Sequence, residues 1–213
     1  MKAAHALVKK TFDTQGPFDG VFGFSQGASI LLAYLLEHIT IYPRKPLPVR
    51  FGIFCSSIPL LSTDPDYYRP ILGTLSLEDQ RRLRSATDEQ LDQLKGPARV
   101  VMKSLVGAID ELESVTLRPR TNFLDRQVLE VPCALHPSLY NARLAIPTLH
   151  VRGINDPPAL KKCSLLGESF CLPKWRRTFE HGAIHNIPRS MVDIKGMVSA
   201  MEWVISRSQL SKL

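Results

Sequence analysis

Between two apolar runs the chain places Gly23-Phe24-Ser25-Gln26-Gly27, and this pentapeptide limits the possible folds more than any other feature. Asp19-Gly20-Val21-Phe22 before it reads as the end of a short buried strand, and Ala28-Ser29-Ile30-Leu31-Leu32-Ala33-Tyr34-Leu35-Leu36 after it reads as a buried helix. Glycine-x-serine-x-glycine between a strand and a helix is the pattern of a sharp turn that presents a nucleophilic serine. In so tight a turn, side chains flanking the serine meet neighbouring backbone, and Gly23 and Gly27 are read as removing that clash. Ser25 Oγ is then pushed into the open. The helix N-terminus brings backbone N–H groups, that of Gln26 first, beside any developing oxyanion. The same letters also suit a plain glycine-rich turn; the strand and helix around them favour the nucleophile.

A serine nucleophile needs a base, and the base needs an orienting acid. With this type of turn the chain order is serine, acid, histidine, and the C-terminal third supplies both. Ile146-Pro147-Thr148-Leu149-His150-Val151-Arg152-Gly153 reads as a strand, followed by Ile154-Asn155-Asp156-Pro157-Pro158. Asp156 therefore sits just past a strand's C-terminal end, where open α/β sheets keep their sites. A helix is predicted near Ala159–Leu166, then a strand over Lys174–Phe179, and then Glu180-His181-Gly182-Ala183-Ile184-His185-Asn186-Ile187-Pro188. A closing helix is predicted from about Ser190 to Ser206. Asp156 could instead cap the helix that follows it, and His185 could be a loop histidine with no chemistry; their order and placement favour acid and base. His181 competes for the base role, but it directly follows the predicted strand, before the turn has formed, so His185 is preferred. His181 and His185 also have a zinc-like spacing, yet Gly182 and Pro188 argue against a helix presenting both rings. Cys55, Cys133, Cys163 and Cys171 form no paired metal motif, so neither a metal nor a cofactor is expected.

These segments resemble a known family. Gly16-Pro17-Phe18-Asp19-Gly20-Val21-Phe22-Gly23-Phe24-Ser25-Gln26-Gly27-Ala28 is similar to the core signature of the fungal serine hydrolases of the FSH type, α/β-hydrolases related to the ovarian-cancer-gene-2 hydrolases. Pro147–Gly153 with Asp156-Pro157 is similar to that family's acid segment, and His181–Pro188 to its histidine segment. The resemblance implies an α/β-hydrolase fold with a mostly parallel sheet flanked by helices. It implies Ser25 as nucleophile, Asp156 as acid and His185 as base. It further implies esterase or thioesterase activity of the kind encoded with fungal polyketide synthases, with an acyl ester or an acyl thioester on a carrier protein as substrate. The alternative is a catalytically impaired remnant that binds an acyl group or a partner protein.

The chain departs from that resemblance in two places. Only 24 residues precede Ser25, and no His-Gly turn lies among them. Met1–Lys10 reads as a helix, so the fold is expected to be N-terminally truncated relative to the family. The elbow strand would then be an edge, and the second oxyanion donor would be missing. The other departure is an insertion of about ninety residues between the strand Arg50–Cys55 and Thr148. Residues 62–140 are expected to form a helical lid within a single domain spanning 1–213. Ser76-Leu77-Glu78-Asp79 and Thr87-Asp88-Glu89-Gln90 fit capping boxes, starting short helices over Leu77–Arg84 and Asp88–Lys95. Ala98–Leu112 carries Val101, Met102, Leu105, Ala108, Ile109 and Leu112 at helical spacing. That stripe either packs in a core or lines an acyl pocket beside Ser25. Thr116–Leu139 reads as loop.

Composition limits the remaining classes. With 44% hydrophobic and 22% charged residues the chain is ordinary for a globular protein. No apolar run approaches a membrane span, and unpatterned cysteines fit a reducing compartment, so a cytoplasmic protein is expected. The net charge of +7 comes from scattered pairs such as Lys9-Lys10, Arg81-Arg82, Lys161-Lys162 and Arg176-Arg177. They read as solvated surface or as a face for an acidic carrier protein. Nothing in the chain has the interleaved aromatic and basic pattern of a nucleic-acid site.

Overall fold

The computed structural model describes residues 1–64, 67, 76, 87–96, 99, 100, 103 and 135–210. By packing, the chain divides into two compact units, Met1–Leu60 with Ala142–Leu213, and Leu61–Asn141.

The first unit runs α1 (Lys2–Gln15), β1 (Gly20–Phe24), α2 (Gln26–Ile41) and β2 (Phe51–Cys55) before the second unit, then β3 (Thr148–Gly153), α4 (Pro158–Ser169), β4 (Arg176–His181) and α5 (Met191–Leu210) after it. The strands form one parallel sheet in the order β1-β2-β3-β4. Its register pairs Phe24 with Cys55, Cys55 with Val151 and Gly153 with His181. All four C-terminal ends therefore open on one side, and every functional loop leaves from that side.

The strands are short apolar runs because both faces are covered. On one face Ile53, Cys55, Leu149 and Val151 pack on Met197, Ala200 and Val204 of α5, with Phe179, Met201 and Trp203 at the margin. On the other face Phe54 and His150 sit side by side, ring centroids 5.5 Å apart, on the side of α2 and α4. Helix α2 buries Ala28, Ser29, Leu32, Ala33, Leu35 and Leu36. Gly167 lets α4 approach Leu32 and Ser57: a Cβ there would stand 3.5 Å from Leu32 Cδ2 and 3.0 Å from Ser57 Oγ. Truncating a leucine in such a core costs about 2–5 kcal/mol.

Several boundaries differ from those expected, each for a local reason. Helix α1 continues five residues beyond Lys10 and ends where the Gly16 N–H bonds Phe12 O at 3.2 Å. The last strand is shifted two residues along: Pro173–Trp175 make one turn of 3₁₀ helix, and the strand begins at Arg176. The elbow strand is not fully buried. Among the described strands β1 lies at the sheet's edge, and Phe22 is 47% exposed. The pairs Arg176 and Arg177 are not merely solvated either. Arg176 reaches Glu168 at 3.4 Å in a cluster with Arg152, and Arg177 lies over the Trp203 ring.

Of the second unit the structure describes α3 (Asp88–Gln93) and its surroundings. Thr87 Oγ1 accepts from the Gln90 N–H while Gln90 Oε1 accepts from the Thr87 N–H, a reciprocal capping box as the sequence predicts. The helix is shorter than Asp88–Lys95, ending at Gln93. Asp92 accepts from Lys103 and from Arg99, which hold its carboxyl below the ordinary range. The expected helix Leu77–Arg84, most of the apolar stripe Ala98–Leu112 and nearly all of the loop Thr116–Leu139 lie outside the described residues.

Candidate active site

Ser25 sits where β1 turns into α2. Its φ of 52° and ψ of −119° put a non-glycine residue in a sparsely populated region, a strain of about 1–3 kcal/mol that persists only where the surroundings enforce it. They do so here. The Ser25 N–H donates to Cys55 O at 2.8 Å, continuing the sheet's ladder by one residue, while Ser25 O accepts from the Ser29 N–H at 3.2 Å, starting the helix. A chain that must be both last in the strand and first in the helix folds sharply at Ser25. Gly23 is required for this. A Cβ there would lie 2.6 Å from both N and Cα of Ala28. Gly27 is not required in the same way: a Cβ at Gly27 meets nothing within 4 Å, which corrects the expectation that both glycines relieve a clash. The reason is the helix geometry, which turns position 27 outward. Because the Ser25 N–H is committed to the sheet, it does not donate at the reacting centre. Among the described residues none accepts from the Gln26 N–H, which is therefore open at the helix start.

His185 comes from the loop after β4, and its Nε2 lies 2.9 Å from Ser25 Oγ, at hydrogen-bond distance across 160 residues of sequence. Nδ1 lies 3.4 Å from Asp156 Oδ1; a carboxylate there favours the ring proton on Nδ1, which leaves Nε2 to accept from the serine hydroxyl. This second contact is at ion-pair range and looser than a good hydrogen bond, as is common without substrate. The His185 side chain is 26% exposed and that of Asp156 1%, so the ring is open to a reactant while the acid is dry. The Phe24 ring packs beside the imidazole, centroids 5.3 Å apart. Asp156 does not cap α4. The N-cap of that helix is Pro157, with no side-chain cap. Asp156 Oδ2 instead faces Ser56 Oγ and the Gly153 N–H, each at 3.4 Å.

His181 is elsewhere. It is the last residue of β4, 1% exposed, and its Nδ1 accepts from the Ala183 N–H at 3.3 Å. It makes a turn contact, while His185 meets the serine. The loop carrying His185 is held at several points. The Asn155 Nδ2–H donates to Gly182 O at 2.8 Å, and the Ile154 N–H donates to His181 O at 2.9 Å. Asp193, in the first turn of α5, accepts from the Gly182 N–H at 3.4 Å and from Ser190 Oγ at 2.8 Å. Gly153 lets the loop come close: a Cβ there would lie 2.3 Å from Ala183 O and 2.7 Å from Ile184 O.

Ser56 and Gly153 were not expected at the site. A polar pair, Ser56-Ser57, directly after an apolar strand was the available sign, since it places hydroxyls at the sheet's functional end. Cys55 and Cys171 are not alternatives to the serine. Burial pushes both thiols up to about 12, which leaves them un-ionised. Among the described residues no group of His, Cys, Asp and Glu could hold a metal ion.

Comparison with known proteins decides the family. The model of the family described as "Serine hydrolase (FSH1)" matches residues 1–197. The chain belongs to this serine hydrolase family. It is similar to the serine hydrolase cnsH of Penicillium expansum, 45% identical over 97% of this chain and 86% of that one. It is also similar to the esterase alnB of Emericella nidulans, at 28% over 95% and 72%. Among solved structures, the Rhodococcus esterase RhEst1 aligns with a TM-score of 0.48 and 18% identity over 95% of this chain and 71% of that one. The serine hydrolase family and the parallel sheet with its strand–serine–helix turn together make this an α/β-hydrolase.

Proposed function

We propose that the chain cleaves an acyl ester or acyl thioester through an acyl-Ser25 intermediate, with His185 as base and Asp156 as acid. The observation that carries this reading is the 2.9 Å contact between Ser25 Oγ and His185 Nε2, made by a serine held in a strained elbow. His185 Nε2 takes the Ser25 proton as Oγ attacks the acyl carbonyl carbon. Asp156, buried beside Nδ1, holds the tautomer and stabilises the imidazolium. The Gln26 N–H donates to the oxyanion of the tetrahedral intermediate. Collapse of that intermediate expels the alcohol or thiol, protonated by His185. Water, deprotonated by His185, then attacks the acyl-serine, and Ser25 Oγ leaves with the proton from His185.

The substrate is proposed to be an intermediate or product of fungal polyketide-type metabolism. Support comes from family membership and from similarity to fungal hydrolases and esterases. An acyl carrier protein is the proposed partner for a thioester, its acidic surface meeting a chain of net charge +7. No nucleic acid and no membrane are proposed as partners. Among the described residues no helix is long and apolar enough to cross a membrane; the proposed location is the cytoplasm. Residues 62–140 are proposed as a lid inserted in a single hydrolase domain.

The test is turnover of matched p-nitrophenyl ester and N-acetylcysteamine thioester substrates by the full chain and by Ser25→Ala. Hydrolysis abolished by the substitution supports the reading, and the ratio of the two kcat/KM values assigns ester or thioester. A folded chain that turns over neither, and whose Ser25 takes up no fluorophosphonate, would favour the non-catalytic binding alternative.

A further inference from the structure

We infer that Ser56 is a positioning residue for the acid: its hydroxyl holds the Asp156 carboxylate turned so that Oδ1 faces His185. The inference rests on the catalytic reading of Ser25, His185 and Asp156. Asp156 is 5% exposed, and a buried carboxylate needs donors around it. Its Oδ2 has Ser56 Oγ and the Gly153 N–H, each at 3.4 Å, and its Oδ1 is left toward His185 Nδ1, also at 3.4 Å. The Gly153 N–H is fixed in the backbone of β3, so among the described residues the Ser56 hydroxyl is the one side-chain donor to Oδ2.

The backbone at Ser56 is a second, independent sign. Its φ is 46°, in the left-handed region that favours glycine. Ser56 is 2% exposed, and its N–H donates to Val151 O at 2.7 Å. The chain is thus fixed in a conformation glycine would adopt at lower cost, yet the residue there carries a hydroxyl directed at the acid. The neighbouring Ser57 shows that this is not a general property of the segment: its hydroxyl is as buried and has no partner among the described residues. Two strained serines, at the ends of the adjacent strands β1 and β2, therefore flank the proposed triad, one as nucleophile and one behind the acid.

The test uses Ser56→Gly, which removes the hydroxyl and relieves the left-handed backbone, and Ser56→Ala, which removes the hydroxyl alone. Both are expected to lower kcat about 10–100-fold with KM unchanged, while Ser56→Gly keeps or raises the thermal midpoint. In an Asp156→Asn background, adding Ser56→Gly is expected to cause no further loss, because the hydroxyl acts through the carboxylate. Wild-type kcat in a folded Ser56→Gly chain, or an equal fold-loss with and without Asp156, would overturn the inference while leaving the catalytic reading intact. A wild-type chain that neither turns over ester nor takes up fluorophosphonate would remove the catalytic reading, and this inference with it.

Discussion

Replacing His150 by leucine should stabilise the protein, and the gain should grow as pH falls. His150 lies in the middle of β3, fully buried, and neither ring nitrogen has a partner among the described residues. A buried polar group without a partner costs about 1–3 kcal/mol. Loss of the Phe54 ring contact, at 5.5 Å between centroids, offsets about 0.5–1 kcal/mol of that. A net gain of about 0–2.5 kcal/mol, centred near 1 kcal/mol, is therefore expected at pH 8. The pH dependence follows from burial first, opposed by the nearby Glu168 carboxylate and reinforced by Arg176 and Arg152. Together they lower the His150 pKa from 6.5 to about 4. A histidine whose folded pKa is depressed takes up its proton in the unfolded chain first. Above pH 6.5 neither state is protonated. Between 6.5 and 4 the unfolded chain binds a proton that the native chain refuses, so native stability declines by on the order of 3 kcal/mol in all. Urea unfolding followed by far-UV circular dichroism at pH 8, 6 and 5 measures this directly. The stability gap between His150→Leu and wild type should be about 2 kcal/mol wider at pH 5 than at pH 8. A gap that stays constant over that range, or a variant less stable at pH 8, would refute the reasoning.

Gly153→Ala should push the loop bearing His185 away, since its Cβ would stand 2.3 Å from Ala183 O; kcat/KM falls by about 10²-fold, read by ester turnover, with loss of amide protection at Ala183, whose N–H donates to His181 Nδ1, in hydrogen exchange. Cys55 and Cys171, held near 12 by burial, should resist iodoacetamide at pH 8 in the native chain and react once urea unfolds it. Arg152→Ala should destabilise by about 1–3 kcal/mol in thermal or urea unfolding, because Glu168 loses its 2.6 Å partner in a largely shielded cluster.

Much of the site could be read from the sequence because strand ends and chain order carry it. Gly23 to Gly27 between an apolar run and a helix announces the elbow. Asp156 follows an apolar, β-branched run by a few residues, and His185 follows the strand residues Thr178 and Phe179 in the same way. What was illegible depends on contacts remote in sequence. Gly27 looks equivalent to Gly23, yet only Gly23 faces the backbone of the following turn. Ser56 acquires its place because β2 and β3 are neighbours in the sheet, bringing it beside an acid 100 residues on. The start of β4 is not legible because Trp175, a good strand residue, follows Pro173 into one helical turn. His150 reads as one more strand residue, and only the packing of both faces shows that its nitrogens are stranded.

The central claim is that Ser25 is a nucleophile activated by His185. The most direct measurement is peptide mass spectrometry of the full chain after brief exposure to a fluorophosphonate probe. A single adduct is predicted on the peptide containing Ser25, absent in Ser25→Ala and formed at least about 10²-fold more slowly in His185→Ala. An unlabelled Ser25 in folded protein, or labelling that proceeds equally fast without His185, would contradict it.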